Sequence, residues 1–146
     1  MQTVSTPQLD LLDVNFGDDP RAGVRVSFPI NTYTGAADTA VVYFEVAPGD
    51  HLATHTDSAE EILYIVSGTG IAHAGDESGR VSAGDLAVIP AMVPHGVRNV
   101  GTERLKVVGF FTESKIVSTF EESLQPLGAA QVEMGAPPPA AVEQAA

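Results

Sequence analysis

The chain has 146 residues, of which 44% are hydrophobic and 18% are charged, a composition that suits one domain with one core. It contains no cysteine, which excludes disulfides, thiolate zinc sites and a cysteine nucleophile. The net charge of −12, from 19 acidic and 7 basic residues, opposes nonspecific attraction to nucleic acid or to an anionic membrane. We therefore expect neither nucleic acid nor a membrane as a partner.

The amino-terminal sequence lacks the basic region followed by an apolar core that a secretory signal requires. No stretch approaches the roughly 20 apolar residues that span a bilayer. The expected location of the protein is therefore the cytoplasm.

Residues 1–22 are predicted to form an N-terminal arm, which is polar and acidic except for an apolar cluster at 9–14. That cluster favours either a short helix or an arm packed on the domain. Alternating residues at 23–30 predict a strand, and a loop at 31–38 separates it from a long strand candidate at 39–46. Short runs separated by regularly spaced turn signals follow, which is the rhythm of an all-β barrel or sandwich.

Residues 105–111, LKVVGFF, predict a final core strand, and 116–124 favour either an edge strand or a short helix. The main domain is expected to span 23–127. Residues 128–146 are low in large apolar residues and contain three consecutive prolines, which predicts a flexible Ala/Pro-rich tail. The apolar residues predicted to line the barrel or pack between its sheets are Phe44, Leu63, Ile65, Ile89, Phe110 and Phe111.

Two separated stretches carry side chains that can bind a metal ion. His55 and Asp57 are two residues apart on a predicted strand, so both side chains project to the same face. If residues 58–60 reverse the chain, Glu61 opens the next strand with its carboxylate available to the same ion. His95 begins another strand after a turn bracketed by prolines. Together these residues predict one divalent-metal site on a β scaffold.

The spacing of these residues resembles the two motifs of the cupin family over roughly residues 39–111. The first motif is a glycine, five residues, His-x-His, three or four residues, Glu, six residues and a glycine. The second is a glycine, five residues, Pro-x-Gly, two residues, His, three residues and Asn. The residues that meet them are, in chain order, Gly49, His55, Glu61, Gly68, Gly84, Pro90, His95 and Asn99. Two positions depart from the motifs: Asp57 replaces the second histidine, and Met92 replaces a glycine that suits a turn with positive φ.

The resemblance implies an all-β fold, a double-stranded β-helix or jelly-roll barrel, and a homodimer. The set His55, Glu61 and His95 is the ligand type that leaves open positions on non-haem Fe(II). Asp57 is a fourth ligand, an acceptor for a histidine N–H, or a base beside the metal. Its oxygen makes the site harder than the family's usual three-histidine set, so Fe(II) is favoured, with Mn(II), Ni(II) and Zn(II) as alternatives.

The predicted function is a metal-dependent enzyme acting on a small molecule, with a non-haem Fe(II) dioxygenase-like oxidoreductase as the favoured reaction. Asp57 and Glu61 are the candidate catalytic residues, and Glu60 is a second candidate to move a proton. One alternative is a redox-neutral isomerase, lyase or polyketide-type cyclase with the same metal. The others are a noncatalytic small-ligand-binding cupin and a structural barrel whose metal motif is residual.

Two further histidines are predicted to lie outside the metal set. His51 follows the Pro48-Gly49 turn, which favours a place on the surface or at the rim of the site. His73, in GIAHAGD, is interpreted as a packed or solvent-facing strand histidine.

Overall fold

The computed structural model describes residues 1–134, in which the regular structure is almost entirely β. Two short 3-10 helices, Thr6–Gln8 and Thr32–Thr34, are the exceptions within this part of the chain. No helix of residues 1–134 is both long and apolar enough to cross a membrane. The strands are β1 Leu12–Phe16, β2 Gly23–Ile30, β3 Ala40–Val46, β4 His51–Asp57, β5 Glu61–Ser67, β6 Thr69–Ala74, β7 Glu77–Ser82, β8 Leu86–Ile89, β9 His95–Asn99, β10 Leu105–Phe111, β11 Ile116–Gln125 and β12 Ala129–Met134.

The twelve strands form one antiparallel sheet that curls into a jelly-roll barrel, as the sequence predicts. Its strand order is β7-β6-β9-β4-β11-β1-β2-β3-β10-β5-β8, and β12 pairs with β11. Five strands lie between β4 and β5 in this order, although the two are consecutive in the chain. Asp57 of β4 and Glu61 of β5 nevertheless both lie against His95. The two halves of the sheet therefore face each other across a shared interior.

Strand β10 shows how the interior is filled, and it confirms the core strand predicted at 105–111. Leu105, Val107 and Phe111 are buried, whereas Phe110 is 47% exposed on the outer face. The prediction that Phe110 lines the barrel is wrong, because adjacent residues of a strand point to opposite faces. The other residues predicted to line the interior are buried, namely Phe44, Leu63, Ile65, Ile89 and Phe111.

The predicted N-terminal arm contributes a strand to the sheet. β1 pairs with β2 from Leu12 opposite Val26 to Asn15 opposite Gly23, and it also pairs with β11. Its alternate residues Val14 and Phe16 are buried in the core. The apolar cluster that favoured a helix or an arm is therefore partly a strand, held by backbone pairing on both sides.

Strand β11 resolves the ambiguity at 116–124 in favour of a strand, which lies inside the sheet between β4 and β1 rather than at an edge. The flexible tail predicted from residue 128 does not begin there. Ala129–Met134 pair with β11, and Met134 is buried in the core. The remainder of the predicted tail, 135–146, lies outside the described residues.

The turn before β9 has the conformation that glycine favours, although its residue is Met92. The φ of Met92 is +66°, and no other non-glycine residue within 1–134 has a positive φ. The backbone N–H of Met92 donates to the carbonyl of Asp57 at 2.8 Å, which ties the turn to the end of β4. The departure from the motif therefore leaves the turn in place at a conformational cost.

Candidate metal centre

The structure brings together the four side chains predicted as metal ligands. His55 and Asp57 lie on β4, Glu61 begins β5 and His95 begins β9. All four side chains are buried. His55 and His95 are direct cross-strand partners, and their ring centroids lie 4.2 Å apart. Antiparallel pairing thus sets the two imidazoles side by side on the inner face.

The polar atoms of the cluster converge on one small volume. Asp57 Oδ2 lies 3.6 Å from His55 Nε2 and 3.1 Å from His95 Nε2. The ligand atoms of His55, Asp57 and His95 all lie within 4.8 Å of one another. Glu61 Oε1 lies 3.4 Å from His95 Nε2, so its carboxylate borders the same volume from the other half of the barrel.

The backbone fixes the tautomer of both imidazoles. His55 Nδ1 lies 2.9 Å from the carbonyl of Ala53, and His95 Nδ1 lies 2.9 Å from the carbonyl of Val93. Since a carbonyl oxygen can only accept, each Nδ1 carries the proton and each neutral ring presents the Nε2 lone pair to the cluster. Histidine metal ligands are oriented in this way, by a hydrogen bond from the other ring nitrogen.

The chemistry of the cluster fits a divalent cation. Asp57 Oδ2 and His95 Nε2 are buried without a hydrogen-bond partner among residues 1–134. Two neutral imidazoles and two ionised carboxylates offer acceptors and no donor, so they repel one another unless a cation lies between them. His55, Asp57 and His95 with Glu61 beside them would hold such an ion, and imidazole and carboxylate are common ligands of Fe, Mn and Zn.

The pKa values show how strongly the groups act on each other. Burial alone would raise the pKa of Asp57, but His55, His95 and Ser118 outweigh it and hold the pKa well below its usual range. Burial raises the pKa of Glu61 against the opposing effect of His95. Burial would lower the pKa of His95, but the carboxylates of Asp57 and Glu61 raise it to about 10. Without a metal ion, the cluster therefore binds a proton where the ion would otherwise lie.

Three supporting residues were missed by the sequence reasoning. Ser118 of β11 donates its hydroxyl to Asp57 Oδ1 at 2.6 Å, which aims Oδ2 at the cluster. Phe120 of the same strand stacks on the His55 ring at a centroid distance of 4.5 Å. Gly109 of β10 leaves the space that the Glu61 carboxylate occupies, since a Cβ on residue 109 would collide with Glu61 Oε2. No sequence pattern marks these residues, because their roles arise from cross-strand pairing.

The cluster forms part of the wall of an internal cavity of about 90 Å³. Leu12, Phe28 and Leu127 also line this cavity, and they are 45%, 37% and 45% exposed. These three partly exposed side chains mark the mouth, on the side of β1, β2 and the turn between β11 and β12.

The other candidate polar residues lie apart from the cluster. His51 is half-buried beside an outer groove, with Nε2 4.0 Å from Asp19. His73 is packed against β4, where its Nε2 lies 3.0 Å from Thr54 Oγ1, and its ring reaches the cavity wall. Burial lowers the pKa of His73, and the charges of His95 and His55 lower it further. Glu60 is exposed and does not line the cavity, so the structure does not support it as a proton carrier.

A family model described as the cupin domain matches residues 42–111, the segment that contains all four side chains of the cluster. This segment of the chain is a cupin domain. Over 51 residues the cupin is 37% identical to an uncharacterised protein of Methanocaldococcus jannaschii. That match covers 35% of this chain and 41% of the relative, so it spans less than half of the relative's length.

Solved structures share the fold of this cupin. The polyketide cyclase RemF of Streptomyces resistomycificus aligns with a TM-score of 0.62 at 21% identity, over 76% of this chain and 78% of RemF. The oxalate decarboxylase of Bacillus subtilis, a protein with Mn(II) centres, aligns with a TM-score of 0.61 at 19% identity. This second alignment covers 73% of this chain and 30% of the decarboxylase. At these identities the likeness is one of fold.

Proposed function

We propose that this cupin is a metal-dependent enzyme acting on a small oxygen-bearing organic molecule, with a non-haem Fe(II) dioxygenase-type oxidation as its reaction. The observation that carries the proposal is the buried set of two imidazole Nε2 atoms and two carboxylates on the cavity wall. When bound, the ion supplies a Lewis acid for the substrate oxygen and, as Fe(II), a binding position for dioxygen.

The donor set supports the choice of ion. His55 and His95 supply nitrogen, and Asp57 and Glu61 supply oxygen, which is harder than the thiolate sets that select zinc or iron–sulfur clusters. Fe(II) and Mn(II) suit this mixture, and the Mn(II) centres of the fold-related oxalate decarboxylase are in keeping with it. Ni(II) and Zn(II) are the less favoured occupants.

The two carboxylates are proposed to have different roles. Asp57 remains ionised, because its pKa lies well below the usual range, so it contributes fixed negative charge and orientation. Glu61 has a raised pKa and borders the cavity, so it is the better of the two to hold or release a proton. The buried, largely apolar surroundings of both groups exclude bulk water from the reacting atoms.

A redox-neutral isomerase, lyase or cyclase on the same site is the second candidate. It is favoured by the likeness to the polyketide cyclase RemF, which extends over more than three quarters of both chains. The two candidates share the metal ligands and differ in whether dioxygen is consumed.

The test begins with protein purified without oxygen, reconstituted separately with Fe(II) and Mn(II), and subjected to elemental analysis. A panel of small phenols, diketones and hydroxy acids is then incubated with the Fe(II) form in an oxygen electrode, with His55→Ala as the control. Oxygen uptake in step with substrate loss supports the dioxygenase, and substrate loss without oxygen uptake supports the redox-neutral candidate. Binding without any turnover favours a noncatalytic role, and failure to retain any ion overturns both enzymatic proposals.

A further inference from the structure

The cavity beside the metal cluster is lined mostly by apolar side chains. Six polar side chains face it, and four of them belong to the cluster itself. The other two are His73, which is engaged with Thr54, and Ser118, which is engaged with Asp57. The rest of the lining comes from aliphatic and aromatic residues and Gly96. The polar chemistry of the cavity is therefore concentrated at its metal-binding wall.

No basic side chain lines the cavity. All 7 lysines and arginines of the chain fall within residues 1–134, and each lies elsewhere. Arg98, on the ligand-bearing strand β9, is exposed on the outside of the barrel and borders the outer groove. An anion entering the cavity therefore meets no fixed positive charge other than the metal ion.

The net charge of the metal-bound cluster determines which ligands the ion can attract. When both carboxylates are ionised, Asp57 and Glu61 together neutralise a divalent cation. A ligand with two negative charges would then bring uncompensated charge into a buried, low-dielectric space, which is strongly unfavourable. A neutral ligand, or one that loses a single proton on binding, avoids most of this cost.

The size of the cavity bounds the ligand further. Its volume of about 90 Å³ exceeds the roughly 10–15 Å³ that a single water requires, so it has room for several waters. A short chain or a single ring fits this space. A larger molecule must leave its remainder at the apolar mouth formed by Leu12, Phe28 and Leu127.

We infer that the cavity takes an uncharged, largely apolar ligand that presents one oxygen-bearing end to the metal, and that it rejects small dicarboxylates. This inference deepens the proposed function, since it rests on the same metal site. The inferred ligand differs in class from that of the oxalate decarboxylase that shares the fold, because the named substrate of that enzyme is a dicarboxylate.

The test uses two probes of nearly equal shape, malonate and pentane-2,4-dione. The dione has methyl groups where malonate has charged oxygens. Titration calorimetry measures both against the Mn(II)-loaded protein and against aqueous Mn(II). The ratio of the affinity for the dione to the affinity for malonate is expected to be at least about 100-fold higher for the loaded protein than for the free ion. The reason is that a buried, uncompensated charge carries a large energetic penalty. A ratio equal to that of the free ion, or shifted towards malonate, overturns the inference even when the metal is fully bound.

A matched pair of variants on β12 tests the reason for the selectivity. Val132 is half-buried on the cavity wall opposite Ser118, whereas Gln131 is exposed on the other face. Val132→Lys is expected to raise the affinity for malonate relative to the dione at least fivefold, as Coulomb attraction in a shielded site predicts in order of magnitude. Gln131→Lys adds the same charge and should leave the ratio unchanged. Equal shifts in both variants, or none in Val132→Lys, contradict the inference.

The metal-free protein keeps this test separate from that of the proposed function. If the chain retains neither Fe(II) nor Mn(II), the metal-dependent function fails, and the melting temperature of the metal-free protein is then measured with each probe. A higher melting temperature with the dione alone supports the inferred class of ligand. Stabilisation by malonate, or by neither probe, overturns it.

Discussion

The two halves of the barrel contribute to the metal centre by different means. His55 and His95 are cross-strand partners, and each ring is fixed by a carbonyl two residues earlier in the chain. Glu61 comes from the opposite half, and within residues 1–134 its carboxylate has no hydrogen-bonding side chain that orients it as Ser118 orients Asp57. The histidine side of the centre is thus set by the pairing of β4 with β9, and the Glu61 side is set by closure of the barrel.

Removing either imidazole should disrupt the histidine side of the metal centre and cause the largest loss of metal affinity. We expect His55→Ala and His95→Ala to lose more than the roughly 10–100-fold in metal affinity that loss of an outer partner costs, since each removes a ligand atom. Competition with a chromophoric chelator measures the affinity, and His51→Ala is the control because His51 lies at the outer groove. Undiminished metal content in both variants contradicts the ligand assignment.

Displacing the Glu61 carboxylate without substituting Glu61 tests the Glu61 side of the metal centre. Gly109→Ala places a Cβ where the Glu61 carboxylate lies and 2.8 Å from Val42 Cγ1, so the carboxylate must move and Val42 must shift, whereas neither histidine is among the atoms that the Cβ meets. We expect a loss of metal affinity similar to that of Glu61→Gln, about 10–100-fold by analogy with displaced metal partners. Gly79→Ala is the matched control, because a Cβ there meets no atom within 4 Å. If Gly109→Ala binds metal as the parent does, Glu61 is not a ligand.

The support of Asp57 by Ser118 should have a smaller effect. Ser118→Ala removes the hydroxyl that donates to Oδ1 and leaves both Asp57 and the fold of β11 intact. We expect metal affinity to fall about tenfold, at the low end for an outer partner. Thr119→Ala, the next residue on the strand, should have no effect on metal affinity. Equal losses in the two variants would indicate general damage to the strand.

The turn within the second motif, between β8 and β9, offers the smallest expected effect. Met92→Gly removes a side chain from a left-handed conformation and should stabilise the protein by about 0.5–1 kcal/mol, after the entropy cost of glycine is subtracted. Ala91→Gly, whose φ is not positive, should destabilise it by a similar amount. Chemical denaturation measures both. A destabilised Met92→Gly protein would show that the methionine side chain stabilises the turn more than its conformation costs.

Much of this arrangement is readable from the sequence because strand periodicity is a local property. The alternation at 23–30 and the apolar run at 105–111 predict strands that match β2 and β10, and alternation places His55 and Asp57 on one face. The meeting of Glu61 with His95 follows from a long-range closure that periodicity does not encode. The spaced motifs supply that information, since they associate residues that are distant in the chain.

Other features escape the sequence for equally physical reasons. The double phenylalanine at 110 and 111 has one inward and one outward residue, and the register of β10 decides which. β12 has the composition of a tail, yet it needs few large side chains because backbone bonds to β11 hold it. Ser118 and Phe120 carry no motif of their own. They become part of the centre through pairing with Asp57 and His55 across β4 and β11.

The cavity wall draws on parts of the chain that lie outside the matched cupin segment. All four proposed ligands fall within 42–111, but β1, β2, β11 and β12 supply much of the surface that a bound molecule would touch. The proposed metal ligands are therefore encoded in one stretch of sequence, whereas the surface that contacts the organic molecule is shared between that stretch and the flanking strands. Evolution, or an engineer, can reshape the pocket by exchanging the flanking strands while the ion-binding residues are inherited unchanged.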